Sequence, residues 1–228
     1  MRYDSPTIGL ALSGGAARGV AHVGVLKALS ENGIRIDYIA GTSAGSLVGG
    51  AFASGMSLDE IADLARKLRW RDIGRVTMSR LGVQSNERLE QYLRARLPIS
   101  RFEDLPIPLA VVATELKTGA AVIMRDRGDV PLAIRASCAI PGWYVPVIDE
   151  QGQQLVDGGL VAVVPSSVAR SLGADIVIAV DVNAAGATFI GSSSSVIGVL
   201  LQSMLVVQRT ASHYQLEIAD FVIKPRVG

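Results

Sequence analysis

Cysteine is almost missing from this chain: Cys138 stands alone, so no internal disulfide can staple the fold. Histidine is nearly as scarce, with His22 and His213 the only two imidazoles in 228 residues. Neither charge sign dominates. The 22 basic and 21 acidic residues are spread along the chain for a net charge of +1, which excludes a nucleic-acid footprint and suits neutral, apolar substrates. Long hydrophobic runs are lacking too. The longest, Val196 to Val207, is too short to cross a bilayer and is interrupted by Gln202 and Ser203, so it is expected to pack as a helix, against a core or an interface. The opening MRYDSPTIGLAL carries no charged segment followed by a long apolar run and a cleavage site, so the expected location is cytoplasmic. What the chain does have is 49% hydrophobic residues, ample for the core of one α/β domain.

The pattern alternates strands with helices. Thr7 to Ser13 is almost wholly apolar, like a central parallel strand. Ala17 to Asn32 follows with helical spacing through Val20, Val23, Leu26 and Leu29, and Gly33 supplies the stop. Arg35 to Ala40 reads as a short buried strand and Ala44 to Ser54 as a closely packed helix. Ser57-Leu58-Asp59-Glu60 is a capping box opening a further helix to about Leu68. Pro108 to Glu115 and Ala120 to Arg125 are two strands joined by a Lys117-Thr118-Gly119 turn, and Asp175 to Asp181 is another buried strand. This order predicts an α/β/α sandwich around a parallel or mixed sheet. Trp70 to Ser85 reads as a lid or a surface loop, and Ala184 to Ser195 as a mobile loop.

Between a predicted strand and a predicted helix stands Gly41-Thr42-Ser43-Ala44-Gly45, the form of a nucleophile elbow. Such a turn lifts a serine hydroxyl out of the backbone, and glycine on both sides gives it room. The string alone is weak; its strand and helix context carries the reading. A serine hydroxyl needs a base. His22 lies on the first helix and His213 in a helical stretch near the C-terminus, and neither sits on a loop after a late strand as a triad histidine would. Asp157 precedes Gly158-Gly159 and follows Leu155-Val156, so it projects from a strand end as a candidate base, unless the tripeptide is only a turn. To act, that carboxylate must be raised above its ordinary pKa by burial.

The third constellation, Ser13-Gly14-Gly15-Ala16-Ala17-Arg18-Gly19, joins the first strand to the first helix, where backbone amides favour an oxyanion or a phosphate. Phosphate motifs fail here. A P-loop needs Lys and Ser or Thr after Gly19, where Val20 and Ala21 stand, and Ala16 breaks the dinucleotide pattern. Cys138, flanked by apolar residues, reads as buried and inert. Trp143 and Tyr144 are candidates for an acyl pocket or for ordinary core packing.

Taken together, the three segments resemble the patatin-like phospholipases, serine acylhydrolases related to the cytosolic phospholipases, and most of all the short bacterial members. The likeness spans nearly the whole chain: Gly14 to Gly19 with Arg18 matches the glycine-rich oxyanion loop, Gly41 to Gly45 the elbow, and Asp157 to Gly159 the Asp-Gly-Gly motif. Ala136-Ser137-Cys138-Ala139-Ile140-Pro141 and Leu172-Gly173-Ala174-Asp175 are similar as well. The resemblance implies a three-layer α/β/α fold with a mostly parallel sheet, in a single domain over residues 1–228. It implies Ser43 as nucleophile, Asp157 as general base, the amides of Gly14, Gly15 and Ala16 as oxyanion hole, and Arg18 and Gly19 as loop-shaping residues. It implies acyl transfer from a lipid or acyl ester without metal or organic cofactor. A lipid substrate would bring peripheral membrane contact, for which Trp70, Arg71, Arg75 and Met78 in the Trp70 to Ser85 stretch are the candidate surface; a solvated face on an ordinary helix pair is the other reading of that stretch. The alternative is a lipid- or acyl-binding regulator with little turnover. Two departures stand out: Ala16 replaces a third glycine, and Ala162-Val163-Val164-Pro165 lacks the asparagine that often follows the aspartate motif. The chain also ends at Val227-Gly228 where similar proteins are expected to continue with further helix.

Overall fold

The computed structural model describes residues 5–68, 73–183 and 195–226. In chain order the strands are β1 (Ile8–Leu12), β2 (Tyr38–Thr42), β3 (Arg75–Val76), β4 (Gly82–Ser85), β5 (Leu109–Glu115), β6 (Ala121–Met124), β7 (Gly142–Tyr144), β8 (Val147–Ile148), β9 (Gln154–Asp157), β10 (Ile176–Val180) and β11 (Phe221–Ile223). The α-helices are α1 (Ala21–Glu31), α2 (Ala44–Ala53), α3 (Leu58–Lys67), α4 (Glu87–Arg94), α5 (Val130–Ser137), α6 (Ser166–Ser171) and α7 (Val196–Leu216).

The main sheet runs β11-β10-β1-β2-β5-β9-β8, with β6 also paired to β5. From β11 to β5 the strands are parallel, and β9, β8 and β6 add antiparallel pairings. Side-chain size divides its two faces. Leu10, Leu12, Ile39, Leu109, Val111, Ile178 and Val180 meet α1 to α5 on one face. On the other, Ala11, Ala40, Ala110 and Ala179 let Val168 and Ala169 of α6 come close. This is the three-layer α/β/α architecture with a mostly parallel sheet that the residues predict.

Local signals are met closely. Ser57 and Glu60 form the reciprocal capping box of α3. Gly33 ends the first helical segment at φ 69°, and the β5–β6 hairpin turns at Gly119 with φ 73°. Differences have local causes. The first helix opens as a 3₁₀ turn over Ala16–Val20 because Ala16 adopts φ 47° as the chain leaves the glycine loop. The strand expected at Arg35 to Ala40 lies at Tyr38–Thr42, since Asp37 spends its side chain on the Ile8 amide at 2.9 Å. The apolar Val196 to Val207 run extends into a 21-residue helix, capped by Ser195 on the Gly198 amide at 3.0 Å.

Of the Trp70 to Ser85 stretch, Trp70 and Arg71 lie outside the described residues. The rest is not simply loop: β3, β4 and β7 form a small three-stranded sheet. The segment Ala184 to Ser195 lies outside the described residues except for Ser195. Tyr144 is buried with Ala113, Ala136 and Leu155, so it is core, while Trp143 beside it is partly exposed. Among the described residues no helix is long and apolar enough to cross a membrane.

Candidate active site

Strand β2 ends at Thr42, and the chain turns at once into α2 with Ser43 as its N-cap. Ser43 takes φ 51° and ψ −120°, a backbone state that residues other than glycine enter only under strain. The neighbouring glycines make the turn fit. A side chain at Gly41 would strike Ser46 Cα at 2.6 Å, and one at Gly45 would collide with the Leu12 carbonyl. The Ser43 amide donates to Ser137 Oγ at 2.7 Å, and that hydroxyl donates onward to the Val112 carbonyl at 2.6 Å. Ser137 therefore locks the elbow to β5.

Strand β5 changes partner at this point. Thr42 pairs with Val112 in parallel, while Asp157 pairs with the next residue, Ala113, at the end of antiparallel β9. Ser43 Oγ consequently donates to Asp157 Oδ2 at 2.7 Å, and Gly159 N–H donates to Oδ1 at 2.8 Å. Asp157 is held from its backbone as well, its amide bonded to Ala139 O at 2.9 Å and its carbonyl to Thr114 Oγ1 at 2.9 Å. The backbone requires glycine at the first following position, and the second sits against a side chain that would have to move. A side chain at Gly158 would strike the Val112 carbonyl, and one at Gly159 would meet Gln208 Nε2 of α7 at 2.6 Å.

Both side chains are nearly sealed, Ser43 at 6% and Asp157 at 4% exposure. Burial raises the Asp157 pKa to about 6, against the opposing hydrogen bonds from Ser43 and Gly159. The carboxylate is thus ionised near neutral pH yet far more basic than a free aspartate. The same burial, with the Asp157 charge, pushes the Cys138 thiol up, so the lone cysteine stays protonated and inert.

The glycine loop lies beside the elbow: a methyl at Gly14 would sit 3.5 Å from Ser43 Cβ. Its expected role narrows here. The Gly14 amide donates to Val163 O at 2.9 Å and is already spent, which removes it from the expected set of three oxyanion donors. The amides of Gly15 and Ala16 have no acceptor among the described residues. The start of α2 adds its positive dipole end at Ser43. Gly19 shapes the loop by letting the 3₁₀ turn rest on α2, where a side chain would meet Ala44 Cβ at 2.5 Å. Arg18, expected to shape the loop with Gly19, has a guanidinium that makes no bond among the described residues, while its amide donates to Gly15 O at 3.0 Å.

Other residues hold the loop instead. Asn183 Nδ2 donates to Gly14 O at 2.7 Å, Ser13 Oγ accepts from the Val182 amide at 3.1 Å, and His22 Nε2 lies 2.8 Å from Ser13 O. Since a carbonyl only accepts, Nε2 carries the proton. His22 is fully buried, its pKa lowered by that burial to about 4, and it touches the loop rather than Ser43. His213 is exposed on α7 beside Glu217 at 3.9 Å, far from any triad role. An apolar cavity of about 320 Å³ is lined by Leu26, Leu29, Phe52 and Ile107. It opens where α1 and α2 end and β5 begins, away from the dyad.

Of the residues named from the sequence, the structure brings Ser43, Asp157 and Gly159 into contact and sets Gly14 beside Ser43; Ser137, Asn183 and the His22 tether were not named for the site. Ser137 had a signal, its place in the Ala136 to Pro141 segment; the other two depend on contacts made only in the fold.

A strained serine between a central parallel strand and its helix, hydrogen-bonded to a buried aspartate at a strand end, defines a nucleophile-elbow protein of the α/β/α class. The chain belongs to the patatin-like phospholipase family, whose family model matches residues 10–170. An uncharacterised NTE family protein of Mycobacterium bovis is 42% identical over 183 residues, covering 79% of this chain and 50% of that protein. Patatin-like phospholipase domain-containing protein 6 of Homo sapiens is 34% identical over 185 residues, covering 77% of this chain and 13% of that protein. The crystal structure of VipD from Legionella pneumophila superposes with a TM-score of 0.63 at 15% identity, over 94% of this chain and 56% of that one, a likeness of fold. The chain thus spans about half the length of its mycobacterial relative.

Proposed function

We propose that this chain is a cytoplasmic serine acylhydrolase, carried by a single domain, that cleaves lipid acyl esters at a membrane surface through a Ser43–Asp157 dyad. The observation that carries the reading is the 2.7 Å bond from the Ser43 hydroxyl to a carboxylate whose pKa burial has raised to about 6. Ser43 Oγ attacks the ester carbonyl carbon as its proton passes to Asp157 Oδ2. The oxyanion develops before the amides of Gly15 and Ala16, and its collapse expels the alcohol, which takes the proton from Asp157. Water then attacks the acyl-enzyme, giving its proton to Asp157, and the Ser43 oxygen leaves and is reprotonated. The lipid nature of the ester is supported by membership of the patatin-like phospholipase family.

Intact-mass analysis after treatment with a fluorophosphonate tests nucleophile and base together. The expected result is one adduct on the parent protein, none on Ser43→Ala, and slow labelling of Asp157→Asn. Unchanged labelling of Ser43→Ala would remove the assignment.

One observation favours a second reading: Ser43 and Asp157 are almost wholly buried, at 6% and 4% exposure. A lipid- or acyl-binding regulator would hold its ligand tightly and show no catalytic burst with an activated ester.

A further inference from the structure

We propose that the β3–β4 hairpin is the element by which this protein docks on a bilayer surface containing anionic phospholipid. The inference takes its purpose from the lipid-ester reading above, but its measurement does not depend on turnover.

Residues 73–86 contain no acidic side chain. Within them Arg75 and Arg80 are exposed and form no ion pair among the described residues. Between and beside these two cations the chain presents apolar side chains to solvent. Met78 is completely exposed, and Val76 and Leu81 are 76% and 54% exposed. The hairpin pairs through Arg75–Ser85 and Val76–Gln84, and these apolar side chains lie at or beyond that pairing, open to solvent.

Register adds an aromatic to this surface. Gly82 pairs with Gly142 and Gln84 with Tyr144, so Val83 and Trp143, which lie between those pairs, point to one side. Arg75, opposite Ser85, projects to that same side. Both Val83 and Trp143 are partly exposed. An apolar tip beside two arginines that form no ion pair among the described residues, with a tryptophan on the adjoining face, has the chemistry of the headgroup and acyl boundary of an anionic membrane. No concave pocket is needed, and charge complementarity singles out an anionic occupant.

The hairpin is also rigidly tied to the site. Val145 N–H donates to Gln84 O at 2.8 Å, and Gly82 passes so near β7 that a side chain there would meet the Tyr144 carbonyl carbon and the Val145 nitrogen at 2.6 Å. Strand β7 begins five residues after Ser137, whose hydroxyl accepts the Ser43 amide. Ala139, on the connecting segment, accepts the Asp157 amide. Docking through the hairpin therefore sets the dyad at a fixed offset from the lipid.

The test is co-sedimentation of the full chain with vesicles of phosphatidylcholine alone or mixed with phosphatidylglycerol. The parent is expected to bind the mixed vesicles in preference and to be released by salt. Arg75→Gln and Arg80→Gln each should weaken binding about fivefold, and Met78→Asp about tenfold or more. Circular dichroism of each variant should match the parent. Ser43→Ala should bind as the parent does, so binding stays readable if no ester is ever cleaved; that outcome would fault the enzymatic reading and leave the docking surface standing. If turnover exists, the hairpin variants should keep the parent rate on a soluble short-chain ester and lose rate only on vesicle lipid. Absence of vesicle binding by the parent, or equal binding by the parent and folded hairpin variants, overturns the proposal. So does a dimer, without vesicle binding, that Met78→Asp dissociates; the surface would then be a contact between copies.

Discussion

Ser43 Oγ and Asp157 Oδ2 lie 2.7 Å apart although 114 residues separate them in the chain. What joins them is β5, whose Val112 holds the end of β2 and whose Ala113 holds the end of β9. One strand thus places a strained serine and a buried carboxylate at adjacent steps of its own backbone.

The raised Asp157 pKa sets the pH dependence of the proposed reaction. The base must be ionised, so kcat/KM on a soluble ester should rise with pH to a plateau, with a midpoint near the value of about 6 that burial imposes. A pH–rate profile measures it. A rate independent of pH between about 5 and 7 would remove Asp157 as the base.

Asp157→Asn should abolish most of the activity and yet stabilise the fold at alkaline pH. The native pKa of about 6 lies above the ordinary 3.8, so the native state holds the proton more tightly than the unfolded chain. The contribution to stability is therefore greatest below pH 3.8 and is lost as pH rises through 6, reaching a cost of at most about 3 kcal/mol. Asparagine carries no charge to bury. Thermal melts should show a higher Tm for the variant at pH 8 and convergence with the parent near pH 4.

Ser137→Ala should damage the elbow without touching the dyad. It leaves the buried Ser43 amide and the Val112 carbonyl without their shared partner. Urea unfolding is expected to show a loss of about 1–3 kcal/mol, and kcat should fall more than KM changes. A variant as stable and active as the parent would contradict the locking role.

His22 should act on the oxyanion loop through its bond to the Ser13 carbonyl. His22→Gln can restore a donor at that place and His22→Leu cannot, so kcat should recover with glutamine and not with leucine. The pH response has the opposite sign to that of Asp157. A native pKa of about 4, below the ordinary 6.5, means stability is fully present above 6.5 and is lost as pH falls toward 4. His22→Gln should flatten that acid limb in melts between those values.

The backbone at Ser43 gives a further contrast. At φ 51° and ψ −120° glycine is relaxed and alanine is not. Ser43→Gly should be more stable than Ser43→Ala by about 1 kcal/mol or more in urea unfolding, although both lack the nucleophile. Equal stabilities would mean that the elbow stores no strain.

Much of this architecture was legible in the residues because it is local. Gly33 and Gly119 announce positive φ, Ser57 and Glu60 announce a cap, and Gly41 and Gly45 announce an elbow, since each feature depends on neighbours within a turn or two of chain. The small sheet of β3, β4 and β7 was not legible as such. Its β4 strand pairs with residues about sixty positions away, and nothing in Trp70 to Ser85 marks that partner. The spent amide of Gly14 was hidden for the same reason, because its acceptor is Val163.

The amino-acid sequence by itself thus determined the alternation of strands and helices, the strained serine turn, the glycine loop and the Asp-Gly-Gly strand end. These follow from side-chain size, backbone freedom and periodicity, which act over short stretches of chain. Only the tertiary structure decided that the carboxylate facing Ser43 is buried with a raised pKa, that His22 bonds the loop and not Ser43, and that the amides of Gly15 and Ala16 have no acceptor among the described residues. Each of those depends on what distant segments pack around a group, and solvation and hydrogen-bond partners are settled only when the sheet has closed over it.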